Sequence, residues 1–247
     1  MFARLNCIIK NKYIRFIAVI ALVLGLIFVI WSLIPINPIQ KDLDEILDDK
    51  SFVVEDKNEY IVLKNKNNTR KVGLIFYPGA KVDSRAYLYK LSSLARQYNL
   101  AIYIAKPALH YAFTDINGAK KIVDDNSDIK SWAIGGHSLG GAMACTYIKN
   151  QNTIKYLVLV GAYCIDDISK TDKKVLSIKG SEDGLVTDMK IDKYKINLPS
   201  NAQFETIEGM NHAQAGNYGD QIGDNLAKSS DTFTRLRLVG IINNFLK

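Results

Sequence analysis

The stretch Gly135-Gly136-His137-Ser138-Leu139-Gly140-Gly141 carries the most specific pattern in the chain. Within it, Gly136 and Gly140 flank Ser138 in the form G-x-S-x-G. The residues before it, 131–134, are predicted to form a short buried strand, and residues 139–148 after it a helix that begins with small residues. A bare G-x-S-x-G also fits a glycine-rich turn that packs a helix onto a sheet. The strand–turn–helix context instead favours a serine at a sharp, strained turn, with its hydroxyl near the free N–H groups of a helix N-terminus. We therefore predict that Ser138 is a nucleophile.

A serine hydroxyl becomes a strong nucleophile when a base accepts its proton, and the chain has three histidines. His212 lies in the glycine-containing loop 209–216, directly after the last predicted strand. Because α/β sites collect their groups at the carboxyl ends of strands, we predict that His212 is the base. His137 is interpreted as a packing or hydrogen-bonding residue of the turn, and His110 as a structural or pocket-lining residue. Both remain alternatives.

A histidine base needs a carboxylate that holds its tautomer and stabilises the imidazolium. Asp183 follows a predicted strand, and the order Ser138, Asp183, His212 is the Ser…Asp…His order typical of one hydrolase architecture. Asp166 and Asp167, which follow the preceding strand, are the alternatives. We predict that Asp183 is the acid.

Attack by a serine creates an oxyanion that needs preorganised hydrogen-bond donors. The backbone N–H of Leu139, the residue after the nucleophile, is one candidate. The second should come from the loop 78–81, which follows the strand ending at Tyr77 and contains a glycine that lets the backbone approach a substrate. We predict that the Ala80 N–H is this donor.

Strands and helices alternate along most of the chain. Strands are predicted at residues 52–55, 60–63, 72–77, 100–104, 131–134, 155–160, 175–178 and 204–207, and helices at 85–97, 115–124, 139–148, 188–196 and 233–246. This alternation predicts an α/β fold with a mostly parallel, doubly wound sheet. The first two strands are separated by a polar turn and are expected to add an antiparallel hairpin at one edge.

The N-terminal part has a different character. Residues 1–13 are basic, and residues 14–34 are an apolar run long enough to span a bilayer. Residues 35–50 are interpreted as a tether with one amphipathic turn, and residues 51–247 as the catalytic domain. The cations before the run predict a cytoplasmic N-terminus and a catalytic domain outside the cytoplasm. A cleaved signal peptide is the alternative, but no A-x-A pattern follows the run.

Composition excludes several other classes. The formal charge of +7 is partly local to the N-terminus. The sequence has no basic stripe interleaved with aromatic residues, so nucleic-acid binding is not expected. The three cysteines form no C-x-x-C pair, so buried free thiols are expected rather than a disulfide framework or a zinc site. The sequence contains no P-loop, dinucleotide fingerprint or H-E-x-x-H motif, so neither a cofactor nor a metal is expected.

From about Lys71 to Lys247 the chain resembles the α/β-hydrolases, and it is most similar to the compact alpha/beta hydrolase fold-5 group, which is carboxylesterase-like. The resemblance rests on Tyr77-Pro78-Gly79-Ala80, residues 115–119, 135–144 and 180–184, and Asn211-His212-Ala213-Gln214. It implies a Ser–Asp–His hydrolase of ester-like bonds that needs no metal or organic cofactor. Pro78 departs from the pattern, because many relatives have histidine there. The short segment 161–174 predicts a minimal lid and an open site.

These observations predict a membrane-anchored serine hydrolase acting on a small-molecule or lipid-derived ester. Two alternatives remain: an acyltransferase that uses the same triad, and a non-catalytic, membrane-tethered binding domain on a hydrolase fold. Fold alone does not establish activity. The residue types of the triad occur in the expected order, and this favours catalysis over the second alternative.

Overall fold

The chain forms two compact units, Met1–Pro35 and Ile36–Lys247, in a computed structural model that describes the backbone of residues 2–247 and the side chains of residues 11–247. The first unit is the helix α1, Phe2–Ser32. Its segment Asn11–Ser32 is long and apolar enough to cross a membrane, and no residue of its most apolar 18-residue window is buried. Length and composition alone fit both an anchor and a signal sequence. Of the predicted N-terminal features, the side chains of Arg4, Cys7 and Lys10 lie outside the described residues.

The second unit is built around an eight-stranded sheet in the order β1-β2-β4-β3-β5-β6-β7-β8. The strands are β1 (Phe52–Asp56), β2 (Tyr60–Asn65), β3 (Val72–Tyr77), β4 (Ala101–Ala105), β5 (Ser131–His137), β6 (Tyr156–Val160), β7 (Lys174–Gly180) and β8 (Gln203–Ile207). Pairing is parallel from β4 through β8, while β1 pairs antiparallel with β2 and β2 antiparallel with β4. The predicted mostly parallel sheet with an N-terminal hairpin at one edge is confirmed.

Helices cover both faces of this sheet. They are α2 (Gln40–Asp48), α3 (Leu88–Tyr98), α4 (Gly118–Asp125), α5 (Leu139–Ile148), α6 (Asp188–Tyr194) and α7 (Asp231–Phe245). Side chains alternate along β3, so that Leu74 and Phe76 join the core beneath α2, α3 and α7, while Ile75 and Tyr77 join the core beneath α4 and α5. Two apolar faces explain why the central strands are continuous hydrophobic runs.

The segment 36–50, expected to be a tether, is packed into the second unit. Ile36 forms a parallel bridge with Val82, and α2 buries Leu43 and Ile46 in the core. The amphipathic pattern of this segment is therefore that of a docked helix. The compact unit begins at Ile36 rather than at residue 51.

Two of the cysteines depart from the expectation of free thiols. Cys145 on α5 and Cys164 after β6 form a disulfide, with their Cα atoms 5.7 Å apart. The pair is created by tertiary packing, because α5 lies beside β6 and brings together residues that are 19 positions apart. Cysteine spacing alone does not reveal such a contact.

Candidate active site

Ser138 stands at the turn between β5 and α5 with φ 52° and ψ −124°, a conformation that is strained for any residue with a side chain. The N–H of Ser138 donates to the Val160 carbonyl at 3.0 Å, which ties the turn to β6. Gly140 permits the turn, because a Cβ there would lie 2.2 Å from the Tyr77 carbonyl oxygen. The glycines of the motif are thus explained by close backbone contacts.

Asp183 and His212 form a buried pair. The Nδ1 of His212 lies 2.9 Å from Oδ2 of Asp183, and both side chains are 1% exposed. The other carboxylate oxygen, Oδ1, accepts hydrogen bonds from the N–H groups of Leu185 and Val186 at 2.9 and 2.6 Å. Because a carboxylate only accepts, Nδ1 carries a proton, and in the neutral form of the ring Nε2 has the lone pair.

This pair lies beside the strained serine. Gly161, at the end of β6, has φ +49°, and a Cβ there would lie 3.1 Å from both Asp183 Oδ2 and His212 Nδ1. Gly161 also lines a cavity together with Ser138. On the other side, the ring of His137 lies 4.4 Å from that of His212, centroid to centroid. The predicted nucleophile, base and acid are therefore gathered at the carboxyl ends of β5 to β8.

The alternative acids are engaged elsewhere. Asp166 accepts hydrogen bonds from Thr146 of α5 at 2.7 Å and from Lys149, directly after α5, at 3.0 Å. Asp167 accepts from the N–H and hydroxyl of Ser169. Neither aspartate is bonded to a histidine within the described part of the chain.

The two other histidines also differ from His212. His110 sits in a strained turn with φ 60°, and its carbonyl accepts from the Lys81 N–H at 2.8 Å. His137 is 1% exposed, and its Nδ1 lies 2.9 Å from the Tyr87 hydroxyl. Burial, with His212 close by, lowers the pKa of His137 well below 6.5, so that the ring is neutral.

The loop after β3 has one uncommitted amide. Pro78 has no N–H, Gly79 donates to the Tyr87 hydroxyl at 2.8 Å, and the N–H of Lys81 donates to His110. Val82 donates to the Gly79 carbonyl at 3.2 Å. Among residues 78–82, all of them described, Ala80 alone has an N–H left to donate.

Leu139 provides a second uncommitted amide. It is the first residue of α5, where N–H groups have no partner inside the helix, and it lines the cavity next to Ser138. The amides of Leu139 and Ala80 make no hydrogen bond within the chain as described. Both predicted oxyanion donors are thus available to a bound group.

The cavity at Ser138 has a volume of about 270 Å³. Its walls are mainly apolar and come from α5, from the loop after β6 and from the loop after Asp183. They include Leu139, Ala142, Ala162, Ile165, Leu185 and Val186, with Lys190 as the charged member. Such a lining suits an apolar group with a single polar reacting centre.

Two supporting residues have no signal in the sequence. Asp224 accepts from the Gly184 N–H at 3.0 Å and from the Ala213 N–H at 2.9 Å, so it joins the loops that carry the acid and the base. Tyr87 joins Gly79 to His137. The Gly184–Asp224 contact spans 40 positions and the Tyr87–His137 contact spans 50, and local sequence patterns do not report contacts of this length.

Among the described side chains, residues 11–247, no three or more His, Cys, Asp or Glu residues are grouped so that they could hold a metal ion. Ser138 and Leu139 line one small, mainly apolar cavity, and Gly161, which lies against the Asp183–His212 pair, lines the same cavity.

A strained serine at the end of the fifth strand of a mostly parallel sheet, with a buried Asp–His pair after the last two strands, defines the α/β-hydrolase class. A family model described as "Alpha/beta hydrolase family" matches residues 73–235 of the 247. The chain belongs to the alpha/beta hydrolase family.

Solved structures of low sequence identity share the fold. They include a "predicted CIB-like hydrolase" from Thermoplasma acidophilum (18% identity, TM-score 0.54, 79% of this chain and 96% of that one). A mutant of the esterase E40 matches with 11% identity and a TM-score of 0.55, over 80% and 84% of the two chains. Est1E from Butyrivibrio proteoclasticus matches with 14% identity and a TM-score of 0.54, over 80% and 99%. No curated protein sequence matches the chain significantly.

Proposed function

We propose that the protein is a serine esterase in which Ser138 is the nucleophile, His212 the general base and Asp183 the residue that orients the base. Among the observations that support this assignment, the buried 2.9 Å contact between Asp183 and His212, beside a serine with φ 52°, carries the most weight. Strain of this kind is retained where a site requires it.

The proposed reaction proceeds through an acyl-enzyme. His212 Nε2 accepts the hydroxyl proton as Ser138 Oγ bonds to the ester carbonyl carbon. The tetrahedral intermediate then collapses, and the same proton passes to the departing alcohol. Water, activated by His212, attacks the acyl-enzyme and releases the acid. Asp183 remains ionised and stabilises the imidazolium that forms in each half.

The oxyanion of each tetrahedral intermediate would be bound by the N–H groups of Ala80 and Leu139. The N–H groups of Ala80 and Leu139 make no hydrogen bond within the described chain, whereas the amides of Gly79 and Lys81 donate to other groups. Preorganised donors of this type contribute about 10²–10³ in kcat each.

The proposed substrate is an ester with a short apolar acyl group. The cavity of about 270 Å³ is mainly apolar, and it lies below the range of about 300–1,000 Å³ typical of ligand pockets. A series of nitrophenyl esters from acetate to palmitate tests this. We expect kcat/KM to be highest for short acyl groups, and a maximum at palmitate would contradict the substrate class.

The catalytic unit is proposed to lie outside the cytoplasm, tethered by α1. Two observations support this location: the basic residues that precede the apolar helix, and the Cys145–Cys164 disulfide, since disulfides persist in oxidising compartments. Protease added to intact cells should digest the catalytic unit and spare cytoplasmic markers. Protection until lysis would reverse the orientation.

The triad is tested by labelling and kinetics together. A fluorophosphonate probe should label the wild type and fail to label Ser138→Ala. Asp183→Asn should lower kcat by roughly 10⁴, as loss of the orienting carboxylate does in serine proteases. The matched control is Asp166→Asn, which removes a carboxylate bonded to α5 and should stay within about tenfold of the wild type, or 1.4 kcal/mol of barrier.

Equal labelling of the wild type and Ser138→Ala would refute the nucleophile. A crippled Asp166→Asn with an active Asp183→Asn would move the acid to the loop after β6. A folded wild type that neither reacts with the probe nor hydrolyses any ester of the series would indicate a non-catalytic binding domain.

A further inference from the structure

A buried chain of hydrogen bonds links the loop after β3 to the strand that carries the serine. The Gly79 N–H lies 2.8 Å from the Tyr87 hydroxyl oxygen, and that oxygen lies 2.9 Å from His137 Nδ1. Tyr87 is 0% exposed and His137 is 1% exposed. The proposed triad uses neither side chain.

The direction of this chain follows from the chemistry of its members. A backbone N–H only donates, so the Tyr87 oxygen accepts from Gly79. The single hydroxyl proton is then directed to His137 Nδ1, which must carry a lone pair. The proton of the neutral imidazole therefore sits on Nε2.

Burial keeps both members neutral. It raises the pKa of the Tyr87 hydroxyl and, together with His212, lowers the pKa of His137 well below its usual value. Tyr87 therefore remains a proton donor, and His137 an acceptor at Nδ1, throughout the neutral pH range.

The position of the chain connects it to the proposed reaction. Gly79 is bonded to Ala80, whose free N–H is the proposed oxyanion donor, and His137 is bonded to Ser138. The Nδ1 of His137 approaches Gly79 so closely that a Cβ there would lie 2.8 Å away. The His137 ring also packs 4.4 Å from that of His212.

We propose that Tyr87 and His137 are positioning residues that hold the Gly79–Ala80 backbone so that the Ala80 N–H points at the oxyanion formed on attack by Ser138. This inference rests on the proposed function. In the proposed arrangement, Pro78 has no N–H to donate, and the N–H of Gly79 is bound by the Tyr87 hydroxyl. The orientation of the Ala80 N–H therefore depends on the hydroxyl of Tyr87, which is nine positions away from Pro78.

The decisive variant is Tyr87→Phe, which keeps the ring and removes the hydroxyl. We expect kcat to fall about tenfold to hundredfold with KM nearly unchanged, because a displaced oxyanion donor forfeits part of the 10²–10³ that such a donor supplies. Affinity for a trifluoromethyl ketone, which forms a tetrahedral adduct with an active-site serine, should fall by a similar factor. A purely structural loss would not separate the affinity for this inhibitor from KM.

The matched control is Tyr77→Phe. Tyr77 is equally buried, at 1% exposed, and its hydroxyl also bridges two backbone groups, donating to the Ile116 carbonyl at 2.7 Å and accepting from the Ala119 N–H at 2.9 Å. These contacts lie in the core beneath α4 and α5. Tyr77→Phe should lower stability as Tyr87→Phe does, while leaving kcat and inhibitor affinity near the wild type.

A second pair of variants covers the case in which Tyr87→Phe fails to fold. His137→Asn retains an acceptor close to the position of Nδ1, and His137→Leu does not. We expect His137→Asn to recover a large part of the kcat lost in His137→Leu.

Wild-type kcat and inhibitor affinity in Tyr87→Phe, or equal kcat in the two His137 variants, would overturn the positioning role. Failure of the proposed function is separate, because it is seen as hydrolysis that persists in Ser138→Ala. All measurements use the full chain in detergent.

Discussion

Breaking the Cys145–Cys164 disulfide should destabilise the catalytic unit by about 3 kcal/mol. The bond closes a ring between residues 19 positions apart, and the loss of chain entropy in the unfolded state for a ring of this size corresponds to about 3 kcal/mol at 25 °C. For a unit of about 200 residues, each kcal/mol moves Tm by roughly 2–4 °C, so the expected decrease is about 6–12 °C.

The disulfide lies next to the candidate site and is buried. Cys145 lies on α5, which begins directly after Ser138, and Cys164 lies in the loop that contributes Ala162 and Ile165 to the cavity. Both cysteines are at most 1% exposed, so reduction will be slow in the folded state. Unfolding is therefore best compared after equilibration with reductant.

Urea unfolding of the full chain in detergent, with and without dithiothreitol, measures the change. Alkylation of the denatured, unreduced protein should modify one of its three cysteines. Cys7→Ala should unfold like the wild type, and the double variant Cys145→Ala/Cys164→Ala like the reduced protein. Alkylation at three cysteines, or identical urea midpoints with and without reductant, would refute the reasoning.

The remaining predictions concern three other contacts. Ile46→Ala should cost about 2–5 kcal/mol in urea unfolding because Ile46 is buried on α2, whereas Leu47→Ala, at a side chain that is 48% exposed, should cost less than about 0.5 kcal/mol. Asp224→Ala should lose about 1–3 kcal/mol and lower kcat, because two amides lose their shared acceptor, while Asp220→Ala in the same loop should change neither quantity. Burial lowers the pKa of His137. The stability that His137 contributes is therefore present above pH 6.5 and is lost as the pH falls below that value. Between pH 7.5 and 5.5, the free energy of unfolding of the wild type should fall by about 1 kcal/mol more than that of His137→Asn.

Much of the sheet could be predicted because its central strands are buried on both faces. The strand at residues 72–77 and the helix at 139–148 were predicted with the bounds that the structure gives. The segment 36–50 could not be assigned in the same way. The pattern of Leu43, Ile46 and Leu47 is too short to distinguish a docked helix from a turn in a tether, and the core that buries Leu43 and Ile46 is distant in sequence.

The site divides along the same physical line. Ser138 has a local signal, because a strained turn requires small neighbours and the sequence must supply them. Asp166 and Asp183 have equivalent local signals, since each follows a parallel strand at the same edge of the sheet. They differ only in the contacts that turn the carboxylates. Thr146 of α5 and Lys149 after it donate hydrogen bonds to Asp166. In Asp183, Oδ1 accepts from two amides of the loop that carries Asp183, and Oδ2 faces His212.

The loop after β3 shows the same limit for backbone hydrogen-bond donors. The sequence Pro78-Gly79-Ala80 shows that one donor is missing, but not which of the remaining two amides is free. That choice is made by the Tyr87 hydroxyl, which reaches Gly79 from the start of α3. With Gly79 engaged, Ala80 has the available N–H, and the residue that engages Gly79 carries no catalytic motif. A residue of this kind is recognised by asking where each backbone donor is satisfied, and the answer here lies in tertiary structure.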